Sequence, residues 1–213
     1  MPPAGARPRR GSGSRVSESY SRSMPLLTTP ALSPGTMADS TQPQIRSDEM
    51  TLRPWQLPDR PVVVAAFGDR AVQQWHCRSM TDDEAADWIA SWSRRWRDET
   101  DASWAVLAAG IVVGQVGLRR IDLAEGSAQV SYWVLPAARG HRVAPRALVA
   151  LSGWCFQELG LHRLGLSHST ANAASCRVAE HAAFAAEGTK RGSGLHADGW
   201  HDMHLHARLA TDA

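Results

Sequence analysis

The residues best placed to do chemistry lie in the stretch Tyr132 to Leu151, YWVLPAARGHRVAPRALVAL. An apolar, strand-like run ends at Pro136, a loop carrying Arg139, Gly140 and Arg142 follows, and an amphipathic helix starts near Val143. That order suits an anion. A helix N-terminus presents unpaired backbone N–H groups and about half a positive charge. Gly140 permits close backbone approach, Pro145 fits a first helical turn, and two guanidinium groups add charge. The same spacing also reads as an ordinary strand-to-helix turn with solvated arginines, because a short Gly-containing motif is weak evidence alone. Arg142 is the anomaly, since a phosphate-cradling loop prefers glycine there.

A second concentration of ligand-type residues is His196, His201, His204 and His206. His204 and His206 would share one strand face. No Cys or carboxylate completes a ligand set at a recognisable spacing, so the sequence predicts edge-strand or surface histidines and no metal.

The elements that must position the loop follow from periodicity. MTLRPW (Met50 to Trp55) alternates as a short strand that Pro58 ends, and a helical region covers Arg60 to His76. Thr81 with Glu84 forms a capping box, and Ala85, Trp88, Ile89, Trp92 and Trp96 recur at helical spacing, predicting a helix over Asp82 to Asp98. The Trp88, Trp92, Trp96 stripe could wall a pocket, but such a stripe reads better as core. Trp55, Trp75 and Trp104 read as packing residues too. Strands are predicted from Ser103, Ile111 and Ser127, paired antiparallel across turns at Ala109–Gly110 and Ala124–Gly126. The helix from Val143 runs to Leu159 and stops at Gly160. A strand from His162, a helix from Ala174 to Phe184 and a last strand from Asp202 complete an α/β chain with a largely antiparallel sheet.

Composition bounds the partners. The 213 residues are 43% hydrophobic and 21% charged, and no run approaches the roughly 18 apolar residues a spanning helix needs, so no membrane association is expected. The net charge of +2 is uneven: residues 1–36 carry five arginines against Glu18, leaving 18 basic and 20 acidic residues beyond them. The folded part is therefore not basic, which argues against nucleic acid. Cys77, Cys155 and Cys176, with no CxxC spacing, predict free thiols in a reducing, cytoplasmic compartment. Residues 1–45, rich in Pro, Ser and Arg, are expected to be a disordered tail, and 46–213 the folded domain. Disorder or a true start at Met24 or Met37 is preferred over an organellar targeting segment.

From Tyr132 to Phe184 the chain resembles the core of the GNAT acyltransferases, particularly the ribosomal-protein N-terminal acetyltransferase branch. The likeness rests on YW before Pro136, ARGHRVA, the LGLHRL turn, Asn172 three before Ser175, and RVAEHAAF after it. It implies the GNAT fold, a mixed, largely antiparallel sheet flanked by helices, over about Leu52 to Leu209. It also implies that acetyl-CoA binds between the Tyr132 to Leu135 and His162 to Ser169 strands. Val134 and Leu135 would offer backbone N–H groups to the oxyanion. The pyrophosphate would lie on the amides of Gly140, His141, Arg142, Val143 and Ala144, with Arg139 opening the cofactor-binding pattern, and Asn172 and Ser175 would touch the cofactor.

Ser175 is the implied acid for the departing thiolate. The tyrosine that many relatives carry in the last helix corresponds here to Glu180, and neither Tyr20 nor Tyr132 lies there. Asn172 and Ser175 read equally as a helix cap. The base position holds Gln129, which takes no proton at neutral pH; Glu125, Asp122, His76 or a water chain are the alternatives. The resemblance thus implies an N-acetyltransferase moving an acetyl group from acetyl-CoA to a primary amine, a protein N-terminus or a small molecule, as a monomer or homodimer. The second reading, motivated by Gln129 and Arg142, is a catalytically silent acyl-CoA-binding module.

Overall fold

The computed structural model of the protein describes residues 27–47 and 50–212. Among them, eight strands form one mixed sheet in the order β1-β2-β3-β4-β5-β6-β8-β7. The strands are β1 Ile45–Ser47, β2 Met50–Pro54, β3 Ala102–Ala108, β4 Ile111–Asp122, β5 Ser127–Val134, β6 Arg163–Ser169, β7 Ala185–His196 and β8 Gly199–Leu209. Five helices flank it: α1 Arg60–Gly68, α2 Arg70–His76, α3 Asp82–Arg97, α4 Val143–Trp154 and α5 Ala173–His181.

Strand alternation covers both faces of the sheet. Trp104 and Val106 face one core with Leu148 and Leu151 of α4, while Ala105 between them faces a second core with Val63 of α1 and Trp92 of α3. The predicted capping box starts α3: Thr81 Oγ1 accepts from the Glu84 N–H at 3.3 Å, and Glu84 returns a carboxylate to the Thr81 N–H at 2.7 Å. Trp92 and Trp96 are 2% and 4% exposed and belong to the core, while Trp88 is half-buried and packs against it.

The feature that makes a site is a failure of pairing. β5 and β6 are parallel and register only from Ser127–Arg163 to Gln129–Gly165, after which the strands part. The Gln129 side chain lies against Gly165, where an added Cβ would meet its amide nitrogen at 2.3 Å.

Several expectations need correction. The helical region of Arg60 to His76 is two helices, because Asp69 is extended (φ −77°, ψ 129°) and its carboxylate caps α2 by accepting from Val72 at 3.1 Å. The last turns of α4 widen into a π-helix over Cys155–Leu159 before Gly160 closes it at φ +86°. Neither β1 nor β7 is predicted. β7 is nearly all exposed and carries Gly188, Gly192 and Gly194, so it has no apolar alternation to read.

The tail expected to be disordered over 1–45 packs against the domain from Ala31 on, after the exposed residues 27–30; residues 1–26 lie outside the described residues. Met37 is fully buried, and Ala31 and Leu32 donate N–H bonds to Ala124 and Leu123. The Glu99 carboxylate accepts from the N–H groups of Gly35, Met37 and Ala38 at 2.7–3.1 Å. This local gain was invisible to a reading based on average composition.

Candidate active site

The parted strands open a cleft of about 730 Å³ walled by β5, β6, the start of α5 and the loop before α4. Pro136–Ala138 make one 3-10 turn, Gly140 then takes φ +83°, and Arg142 takes φ +55°, ψ 25° as the N-cap of α4. The anomalous arginine therefore does adopt the left-handed conformation that glycine would favour, at a cost on the order of 1–2 kcal/mol. The first intrahelical bond is Arg146 N–H to Arg142 C=O, so the Val143 and Ala144 N–H groups precede the helical ladder. Both residues line the cleft with Gly140 and Arg142, and a Cβ on Gly140 would meet nothing within 4 Å. An anion has room and donors here. His141 is exposed and does not wall the cleft.

Arg139 behaves differently from the expectation. Its guanidinium donates to the Asp69 carboxylate and, at 3.2 Å, to the Val134 carbonyl, tying the loop to the start of α2. That contact holds the Asp69 carboxyl below the usual carboxylate range. Arg139 borders the cleft as a brace between two of its walls.

The two expected oxyanion donors also separate. The Leu135 N–H donates to Val113 of β4 at 2.9 Å, and Leu135 packs among the second core rather than lining the cleft. Strand alternation turns the Val134 N–H to the opposite edge, where β6 has moved away. The Leu135 N–H is thus committed to β4, whereas Val134 lines the cleft.

Inside the cleft, Ser175 is 9% exposed and its Oγ lies 2.5 Å from the Tyr132 hydroxyl. Burial pushes the Tyr132 phenol up to about 12, against the opposing effect of its bond to Ser175, so it stays protonated at neutral pH. Asn172 caps α5 by accepting from the Ser175 N–H at 3.0 Å, which fixes where Ser175 points. The sequence offers no acid role for Tyr132, because it is not on the last helix. Its partner was legible only in the period of two that places Val130, Tyr132 and Val134 on one face of β5, towards α5.

Of the alternatives for a base, Asp122 and Glu125 are exposed at the β4–β5 turn and Gln129 is exposed at the end of strand pairing, whereas His76 lines the cleft. His76 Nε2 lies 3.2 Å from the Tyr132 carbonyl, an oxygen that only accepts, so Nε2 carries the proton and Nδ1 the lone pair. Burial pushes its pKa below the ordinary histidine value, with Arg119 and Arg78 acting in the same direction. The ring is neutral at neutral pH.

Trp75, read as packing, instead lines the mouth of the cleft beside His76, His196 and Met203, with its ring 5.8 Å from that of His196. The predicted histidine group divides. His196 lines this mouth with the His201 ring 4.5 Å from its own, while His204 and His206 join residues the sequence did not connect to them.

A family profile described as an acetyltransferase (GNAT) domain matches residues 49–185. A protein named as a ribosomal N-acetyltransferase, YdaF of Bacillus subtilis (strain 168), is 28% identical over 113 residues, 53% of this chain. The match spans 61% of that relative's length. Among solved structures, RimL, a ribosomal L7/L12 alpha-N-protein acetyltransferase in complex with coenzyme A, superposes at TM-score 0.73 with 17% identity, covering 78% of this chain and 98% of that one. Mycobacterium smegmatis RimJ in complex with a CoA-disulfide superposes at 0.70 with 23% identity, over 76% and 82%. These likenesses establish the shared fold.

Proposed function

The chain belongs to the GNAT acetyltransferase family, and from that premise we propose that it is an N-acetyltransferase that acetylates the α-amine of a peptide or protein N-terminus from acetyl-CoA. The observation that carries this reading is one line of groups across the parted strands: neutral His76 against the Tyr132 carbonyl, and the Tyr132 hydroxyl against Ser175.

Acetyl-CoA supplies an activated acetyl thioester. The N–H groups of Gly140, Val143 and Ala144, with the Arg142 charge, suit its pyrophosphate. The Val134 N–H faces the gap and suits the developing oxyanion. His76 Nδ1 takes the proton of the attacking amine. Ser175 Oγ–H protonates the departing sulfur, and Tyr132, held neutral by burial, positions that hydroxyl and can replace its proton.

The acceptor class follows from charge. Among the described residues that line the cleft there is no carboxylate. A polycationic amine such as an amino sugar antibiotic would find no counter-charge. An α-amine, with an ordinary pKa near 7.7–8, loses its proton to a weak base far more easily than a lysine amine near 10.4.

The test is thiol release from acetyl-CoA with three acceptors: a peptide with a free N-terminus, an N-blocked lysine peptide and an aminoglycoside. Turnover on the first alone is the expected result. Turnover only on the others would replace the acceptor assignment. Acetyl-CoA stabilisation by RT ln(1 + [L]/Kd) with no turnover on any acceptor would leave a binding module in place of an enzyme.

A further inference from the structure

Behind the β6 wall, His168, Cys176, His204 and His206 each bring one imidazole nitrogen or sulfur to within 4.8 Å of one another. They come from three elements: His168 on β6, Cys176 on α5, and His204 and His206 on β8. The antiparallel register sets His168 opposite His204, and the period of two puts His206 on the same face.

The hydrogen bonds of this group conflict without a cation. His168 Nδ1 lies 2.8 Å from the Ser169 carbonyl oxygen, and His206 Nδ1 lies 3.3 Å from that of Phe184. A carbonyl only accepts, so each Nδ1 carries its ring's proton and each Nε2 is left with a lone pair. Those two Nε2 atoms face each other at 3.2 Å. Both residues are buried, 5% and 4% exposed, where an extra proton on either ring would lose its hydration. A shared cation removes the conflict, and an Nδ1–H to carbonyl bond is the outer contact that orients metal-bound histidine.

We propose that His168, Cys176, His204 and His206 form a binding site for a divalent transition metal of the zinc class. Three imidazoles and one thiolate make a nitrogen–sulfur set suited to tetrahedral zinc. All four positions come from the protein, so the role is structural. The Cys176 thiol, now 3.7 Å from Glu180, gives up its proton to solvent as the metal–sulfur bond forms. A side cavity of about 220 Å³ bordered by Cys176, Glu180, His204 and His206 provides the way in. Since Cys176 follows Ser175, the metal would fasten the first turns of α5 to β6 and β8. Ser175 would thereby be held against Tyr132.

The test uses tag-free, full-length protein, dialysed against chelator under a phosphine reductant and titrated with Co²⁺ as a spectroscopic probe. Expected are one equivalent bound, the visible bands of tetrahedral cobalt, and a thiolate-to-metal charge-transfer band in the near ultraviolet. Cys176→Ser should abolish the charge-transfer band, His204→Ala should lose the tetrahedral spectrum, and Cys77→Ser should keep both. Cys176 and His204 are partly exposed, so these variants should retain the wild-type circular dichroism. Zn²⁺ should displace the cobalt and raise the thermal midpoint. No stoichiometric uptake, or a charge-transfer band that survives in Cys176→Ser, would overturn the proposal.

Discussion

The two halves of the cleft are built in different ways. The wall assigned to acetyl-CoA comes from nearly contiguous chain: β5, the Pro136 to Pro145 loop, α4, and Asn172 and Ser175 at the start of α5. The mouth assigned to the acceptor is assembled from Trp75 and His76 on α2, His196 on β7 and Met203 on β8, about 120 positions apart. A wall made by one local run is governed by turn, cap and strand rules that are written in that run. A mouth made by distant segments depends on where the sheet carries them.

The halves should respond to substitution in separate observables. The largest effect is expected at His76. His76→Gln should lower kcat at neutral pH by about 10³-fold with acetyl-CoA affinity nearly unchanged. In the wild type, activity should fall as pH drops through the lowered His76 pKa, so the acidic limb of kcat/KM should lie below about 6.5. The limb should vanish in the variant, and a limb that stays would move the base elsewhere.

Ser175→Ala should reduce kcat by about 10²-fold, again without weakening acetyl-CoA. Tyr132→Phe should show a smaller loss of the same kind, because it acts through Ser175. Equal turnover in Ser175→Ala would remove that hydroxyl from the mechanism.

Trp75→Ala should raise KM for the amine about tenfold, near 1.4 kcal/mol, and leave acetyl-CoA binding alone. An effect on acetyl-CoA instead would erase the division into halves. The smallest effect belongs to Arg142→Gly. It relieves a left-handed residue, offset by about 0.5–1 kcal/mol of glycine chain entropy. The thermal midpoint should therefore move up slightly, while acetyl-CoA affinity falls a few-fold with the lost charge.

How much was legible divides along the same line. The strand ending at Pro136, the loop and the cap at Asn172 could be read because each follows from local chemistry, and α3 began where Thr81 and Glu84 placed it. The loop residues read alike in the sequence, yet their side chains and amides diverge: Arg139 turns to Asp69, and the Leu135 N–H goes to β4. Which edge a strand N–H faces depends on pairing parity, which no single residue type encodes. Trp75 and β7 were missed for the complementary reason. A helix of seven residues broken at Asp69 and a glycine-bearing edge strand carry little periodicity, and both matter because of long-range placement. The link of His168 and Cys176 to His204 and His206 is of the same long-range kind.

The most direct test of the central claim is calorimetric titration of acetyl-CoA into the full chain and into Gly140→Val. The parted strands and the loop amides predict one binding site in the wild type. They also predict clear weakening in the variant, because a β-branched residue is strained at φ +83°. No binding to the wild type, or equal affinity in the two proteins, would contradict it.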